Sequence, residues 1–87
     1  MRLDKFLKVS RIIKRRTVAK EISDAGHIRV NDRKAKSSTQ VEVGDIIVLD
    51  YANKTLTLKV MDVKDSVKKD DATSLYTVLD ESYKNQE

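Results

Sequence analysis

LDKFLKVSRIIKRRTVAKEISDAGHIRVN, residues 3–31, is the stretch from which the fold is read. Leu3, Phe6 and Leu7 recur at the i, i+3, i+4 spacing of a helix face, and Lys5 and Lys8 fall opposite. Leu3 to about Ile13 is therefore read as a short amphipathic helix with its positive face turned from the core. The cluster Lys14-Arg15-Arg16 interrupts the pattern. Thr17 is placed to cap a second helix, in which Val18, Ile22 and Ala25 share one face and Ala19 flanks it. Gly26 closes that helix in a left-handed C-terminal position. Ile28-Arg29-Val30 then reads as a strand. Two short helices thus flank a basic corner.

Downstream, Asn31 and Asp32 read as a turn and Lys34 to Gln40 as a basic, then polar, connection. Gly44-Asp45 opens the next element. Ile46 to Tyr51 is β-branched and apolar enough for a buried strand, Ala52 to Lys54 is a turn, and Leu56, Leu58 and Val60 alternate as a strand does. Asp65 to Asp71 is a charged loop or a helix start. Leu75 to Leu79 is a last strand or part of a short helix, because so brief an apolar run fits either. From Glu81 the chain is polar, and fraying is expected there. The fold class is α+β, with two or three short N-terminal helices packed on a small, mostly antiparallel sheet. Phe6, Leu7, Ile22, Ile28, Val30 and Ile47 are assigned to the core. An 87-residue chain has material for one core, so residues 1–87 are taken as one domain. Its motif-bearing part spans residues 1–50, and a hairpin and an acidic segment occupy 51–87.

The charge is distributed unevenly. Residues 1–40 hold 12 Lys or Arg against four acids, giving +8, whereas residues 41–87 hold six against ten, giving −4. Because Lys and Arg displace phosphate-bound cations when they meet RNA, a concentrated basic segment supplies salt-sensitive affinity that evenly spread charge would not. A solvated basic face is the plainer alternative. The absence of cysteine excludes disulfides and thiolate metal sites and fits a reducing compartment, so a cytoplasmic location is expected. Charges at Arg2, Asp4, Lys5, Lys8 and Arg11 break any signal-peptide apolar region, and the longest apolar run, Ile46 to Leu49, is far too short to span a membrane. A single histidine, His27, without a cysteine leaves no nucleophile–base pair, and His27 reads as a solvent-exposed side chain after the helix-ending glycine. Asp62, Asp65, Asp70 and Asp71 lack metal-loop spacing, and no phosphate-cradling glycine loop occurs. Neither an enzyme, a metal site nor a cofactor is expected.

Arg2-Leu3-Asp4-Lys5-Phe6-Leu7, then Arg15-Arg16-Thr17-Val18-Ala19, then Ile22, Gly26-His27-Ile28-Arg29-Val30-Asn31 and Gly44-Asp45-Ile46-Ile47 together resemble the RNA-binding domain named after the fourth small-subunit ribosomal protein, the S-four-like domain. The resemblance covers about residues 1 to 50 and implies the alpha-L RNA-binding fold, a compact positive face that docks on structured RNA. It also implies a stand-alone module, since no catalytic domain accompanies it. Residues 1–11 and Lys14 to Glu21 are in addition similar to the RqcP family of Firmicutes, and less so to the ribosome-associated heat-shock protein of enteric bacteria, whose longer basic extension is missing here. What this implies is a role in ribosome-associated quality control: binding to large-subunit rRNA and to peptidyl-tRNA in the P site, cooperation with an RqcH-like tailing factor, and a monomeric free state. In two places the sequence departs from the domain's pattern. Asp32 stands where glycine usually follows Asn31, and Ser37-Ser38 where Pro-Ser is common, which puts the Asn31 turn and the Lys34 to Ser38 connection in doubt as RNA contacts.

Among candidate RNA-binding residues Arg16 leads, because a guanidinium at a helix start makes two parallel bonds to phosphate while adjacent amides add their own. Arg2 follows from the resemblance. Lys5, Arg15, Thr17 and Lys20 share the corner, and Asp4 orients an arginine or caps the first helix. Lys14, Asn31, Lys34 and Lys36 complete the set, although simple solvation accounts equally well for Lys14, Lys34 and Lys36, as it does for Lys8 and Arg29. One Phe and three Tyr give base stacking little support. Two other functions stand beside quality control: large-subunit recycling of the heat-shock type, and a protein-interaction adaptor acting through the acidic half.

Overall fold

The computed structural model describes residues 1–84. Helix α1 spans Leu3–Val9 and α2 Arg16–Asp24; strands β1 (Ile28–Val30), β2 (Arg33–Lys34), β3 (Ile46–Tyr51) and β4 (Lys54–Val60) follow, then a 3-10 helix over Lys69–Leu75 and strand β5, Tyr76–Tyr83. The strands form one sheet in the order β2-β1-β3-β4-β5, antiparallel at every neighbouring pair. The expected α+β class holds, with its third helical segment late in the chain.

The register explains the core. Val30 lies opposite Ile47 and Ile47 opposite Leu58, while Ile28 meets Leu49 and Leu49 meets Leu56. A side-chain period of two places these residues on one face, and that face packs against Leu3, Phe6, Leu7, Ile13 and Ala19. Phe6, Leu7, Ile28 and Ile47 are fully buried, as expected of them. Ile22 is only half-buried at the margin of the cluster, because Ala19 and Ser23 take the inner line of α2.

Helix α1 stops at Val9 and does not continue to Ile13. The Ser10 hydroxyl donates to the Leu7 carbonyl at 3.3 Å, and Arg11 takes a left-handed backbone with φ +63°. The chain there doubles back, so that the Ile13 amide donates to the Leu7 carbonyl at 3.1 Å and its side chain is buried. Neither Gly nor Pro marks this stop. Gly26 follows α2 with φ +90°; its amide donates to Ser23 and that of His27 to Ile22, the paired bonds of a Schellman ending. Asn31 and Asp32 both have positive φ, the geometry of a type I′ hairpin turn, and Asp32 keeps the turn without glycine. Lys34, read as the start of the connection, instead joins Arg33 before it as β2. Leu75 ends the 3-10 helix and Tyr76 opens β5. Glu81 to Tyr83, expected to fray, lie in β5 opposite Lys54 to Leu56; residues 85–87 of that tail fall outside the described residues.

Candidate RNA interface

Asp4 organises the basic corner. Its carboxylate is almost wholly buried, whereas the two arginines it meets are about half exposed. Arg2 donates from Nε to Oδ1 at 3.2 Å and from Nη2 to Oδ2 at 3.4 Å. Arg16 donates from Nη2 to Oδ1 at 3.4 Å, and the Lys5 amide donates to the same oxygen at 2.8 Å. Burial alone would raise the Asp4 carboxyl, but the hydrogen bonds and charges of Arg2 and Arg16 outweigh it and hold the group below the usual carboxylate range. The arrangement draws two guanidinium groups, 14 positions apart in the chain, onto one anion. Their remaining N–H donors stay in solvent, and the local charge stays positive. Asp4 sits inside the first turn of α1, and Arg2 occupies the N-cap position without a side-chain capping bond. Both alternatives have a counterpart in the geometry: Asp4 holds the two arginines, and from within the first turn, not from the N-cap position, it takes the otherwise free Lys5 amide.

Thr17 does not cap α2. Arg15, in extended conformation, is the N-cap and makes no side-chain bond, and the helix begins at Arg16. The first intrahelical bond runs from the Ala19 amide to the Arg15 carbonyl, so the amides of the opening turn face an outside acceptor. Arg16 thus combines a half-exposed guanidinium with an uncapped helix start. Lys20, one turn on, is exposed and stands 4.0 Å from Asp24. Asp24 in turn accepts from the Ser37 amide at 2.8 Å and the Ser37 hydroxyl at 3.1 Å. Those bonds tie the 36–40 segment to α2, and further bonds from the Leu3 and Asp4 amides to Thr39 and Ser37 carbonyls tie it to α1. Lys36 is held exposed at the margin of the corner. The Asp24–Ser37 amide bond is one that proline at 37 could not make.

The other candidates divide by location. Lys14 and Arg15 lie on the loop between the helices, beside Ile12 and Tyr51. Asn31 is fully engaged: its Nδ2 donates to Asp45 at 3.0 Å and its Oδ1 accepts from the Ile46 amide at 2.9 Å. Lys34 lays its aliphatic end against Gly26, whose added Cβ would sit 3.5 Å from Cε. Arg2 and Arg16 are therefore brought together around Asp4, which Lys5 meets only through its backbone amide, with Lys20 and Lys36 at the edge, whereas Asn31 and Lys34 belong to the β1–β2 hairpin. One contact was missed: Lys5 Nζ meets Asp65 at 3.0 Å, across 60 residues, with no local signal to announce it. Among the described residues no cluster of three or more His, Asp or Glu side chains is arranged to hold a metal, and no helix is long and apolar enough to cross a membrane.

The comparisons with known proteins agree with this geometry. Residues 1–47 match the model of the S4 domain. The chain is 56% identical, over 94% of its length and 93% of the relative's, to the "RQC P-site tRNA stabilizing factor" of Streptococcus pneumoniae. It is 51% identical to the protein of the same name from Bacillus subtilis, over 93% of this chain and 94% of that one. Among solved structures, Heat Shock Protein 15 of Vibrio cholerae superposes with a TM-score of 0.84 at 30% identity, covering 90% of this chain and 80% of that one. Shared sequence across nearly the full length, and a basic helix pair in the matched segment, lead to one conclusion: the chain belongs to the S4-domain family, in the group that these stabilizing factors form.

Proposed function

We propose that this protein is an RNA-binding factor of ribosome-associated quality control, which docks on a large ribosomal subunit carrying peptidyl-tRNA and supports alanine tailing by an RqcH-like factor. It contacts large-subunit rRNA and the P-site tRNA, works in the cytoplasm on ribosomes, and acts by positioning rather than by chemistry. The observation that carries this reading is the pair Arg2 and Arg16 held on Asp4 at the uncapped start of α2. Two guanidinium groups, each about half exposed and held on one buried carboxylate, keep N–H donors free for phosphate oxygens, and structured RNA is recognised chiefly through its backbone and shape. Lys5, Lys14, Arg15, Thr17, Lys20, Lys34 and Lys36 extend the contact, and Asn31 supports it by fixing the hairpin turn. The names of relatives at 51% and 56% identity support the quality-control role over subunit recycling, for which the likeness is at 30%.

Arg16→Ala or Arg2→Ala is expected to remove co-sedimentation with large subunits at physiological salt, a loss of at least about tenfold in affinity for charge-assisted bonds of this kind. Neither side chain fills the core, and each variant removes only part of the bonding to Asp4, so the cost in stability should stay within about 1 kcal/mol and the chain should remain folded. Unchanged co-sedimentation of both variants would reject the assignment. A deletion strain that still tails stalled chains at the parental level would keep RNA binding but remove the quality-control role.

A further inference from the structure

The loop between α1 and α2 and the tip of the β3–β4 hairpin enclose two adjoining concavities of about 290 and 460 Å³ that share Ile12 and Tyr51 as walls. Tyr51 continues the inner-face line of Ile47 and Leu49 by the period of two, but stands at the end of β3, where it is 38% exposed and shares a wall with Val18 of α2. Arg11, Lys14 and Arg15 stand around the opening. Among the described residues none of the three pairs with a carboxylate, and neither concavity has an acidic residue in its wall. Arg11 is held there in a left-handed conformation, φ +63°, which costs a non-glycine residue of order 1 kcal/mol and persists where surrounding structure imposes it. Arg11 and Lys14 also line a neighbouring concavity that holds Asp65, whose ion pair is with Lys5; an aromatic ring with aliphatic neighbours, under a rim of cations without ion-pair partners, suits a ligand with one flat apolar face and a negative charge.

We propose that this groove is a subsite for one unpaired nucleotide of the bound RNA, its base stacked on Tyr51 and packed on Ile12, its phosphates met by Arg11, Lys14 and Arg15. The inference rests on the RNA-binding reading and adds a second contact, on a different side of the inter-helix loop from the Asp4 corner. An apolar peptide would leave the three cations unmatched, and an acidic one would leave the ring without a flat partner, so charge and shape together favour RNA.

The test is NMR titration of the full chain with the trinucleotide ApApA and, separately, with ribose 5-phosphate. ApApA should move the Tyr51 ring protons upfield and shift the Ile12 amide, while ribose 5-phosphate leaves the ring unmoved. Tyr51→Ala should weaken ApApA about tenfold and Tyr51→Phe should retain it, as expected for stacking on a ring; the spectra themselves report whether each variant is folded. Shifts at Arg16 and Thr17 with Tyr51 and Ile12 silent would overturn the subsite and leave the Asp4 corner standing. Loss of large-subunit binding in Tyr51→Ala, with the ring unmoved by ApApA, would also overturn it and assign the groove to a protein segment. The Arg16→Ala co-sedimentation test is independent of both results, so failure of the wider reading is distinguishable.

Discussion

The two halves of this chain treat charge in opposite ways. Of 12 Lys and Arg in residues 1–40, eight pair with no carboxylate among the described residues, and two of the paired ones share the single carboxylate of Asp4. Of the six lysines in residues 41–87, three are joined to acids of the same half: Lys54 to Glu81 at 2.8 Å, Lys84 to Asp50 at 2.9 Å and Lys64 to Asp62 at 3.7 Å. One half pairs half of its lysines internally, keeps an acidic excess and serves as scaffold. The other is left deliberately short of counter-charge, and its one buried acid gathers cations instead of cancelling them. Net charge alone, +4 for the whole chain, conceals this division.

The strongest way to break the comparison is to attack what the halves share. Leu58, in the acidic half, is fully buried beside Ile47, so Leu58→Ala should cost about 2–5 kcal/mol, a large part of the stability of a domain this size. Chemical denaturation measures it; a cost well under about 1 kcal/mol would mean that the core does not bridge the halves. Next comes the anchor of the basic half. Asp4→Asn should destabilise by about 1 kcal/mol, near the low end for charged hydrogen bonds because both arginine ends are half exposed. Its pH dependence has a definite sign. The folded carboxyl titrates lower than the unfolded one, so its pairs stabilise at pH values above the unfolded value of about 3.9 and are lost as acid protonates the folded group. Below about pH 4 the melting temperatures of parent and Asp4→Asn should converge, and parallel curves would show that Asp4 does not hold the arginines through charge.

Smaller effects sharpen the border between the halves. Asp65 is exposed and borrows Lys5 from the basic side, so Asp65→Asn should leave stability within about 0.5 kcal/mol and raise large-subunit affinity roughly twofold at low salt by restoring one cation. Weaker binding would make Lys5 dependent on its partner. Lys68→Ala should have the least effect in the same gradients, since it lies just before the 3-10 helix in the net-acidic half. A loss there comparable with that of Arg16→Ala would move the binding face to the C-terminal half.

Much of this was legible from local chemistry. Ile46–Tyr51 appears as β3 with the bounds its β-branched run implies, Gly26 ends α2 in the expected left-handed state, and Arg2 and Arg16 meet at one corner. What could not be read depends on distant parts of the chain. The stop of α1 is made by Ser10 and Arg11, residues that a helix tolerates, because Ile13 must return to the core. Strand β2 is two charged residues that pair only because the Asn31–Asp32 turn folds them onto β1. Lys5 and Asp65 are neighbours solely through the sheet that separates them in sequence. Tyr51, one of three tyrosines, reads as the end of a strand, and its place in a groove follows from the inter-helix loop residues Ile12 to Arg15 that fold beside it.

The irregularity in β5 bears on how such a chain survives at high concentration. Thr57 pairs with Asp80 and Leu58 with Val78, so Leu79 is a surplus residue without a partner opposite. The outermost strand therefore carries a kink where its apolar residues lie, followed at once by Asp80 and Glu81. A hem that is bent and then negatively charged gives an incoming strand no straight row of amides to copy. The molecule can leave this side of its sheet open without inviting fibrillar growth.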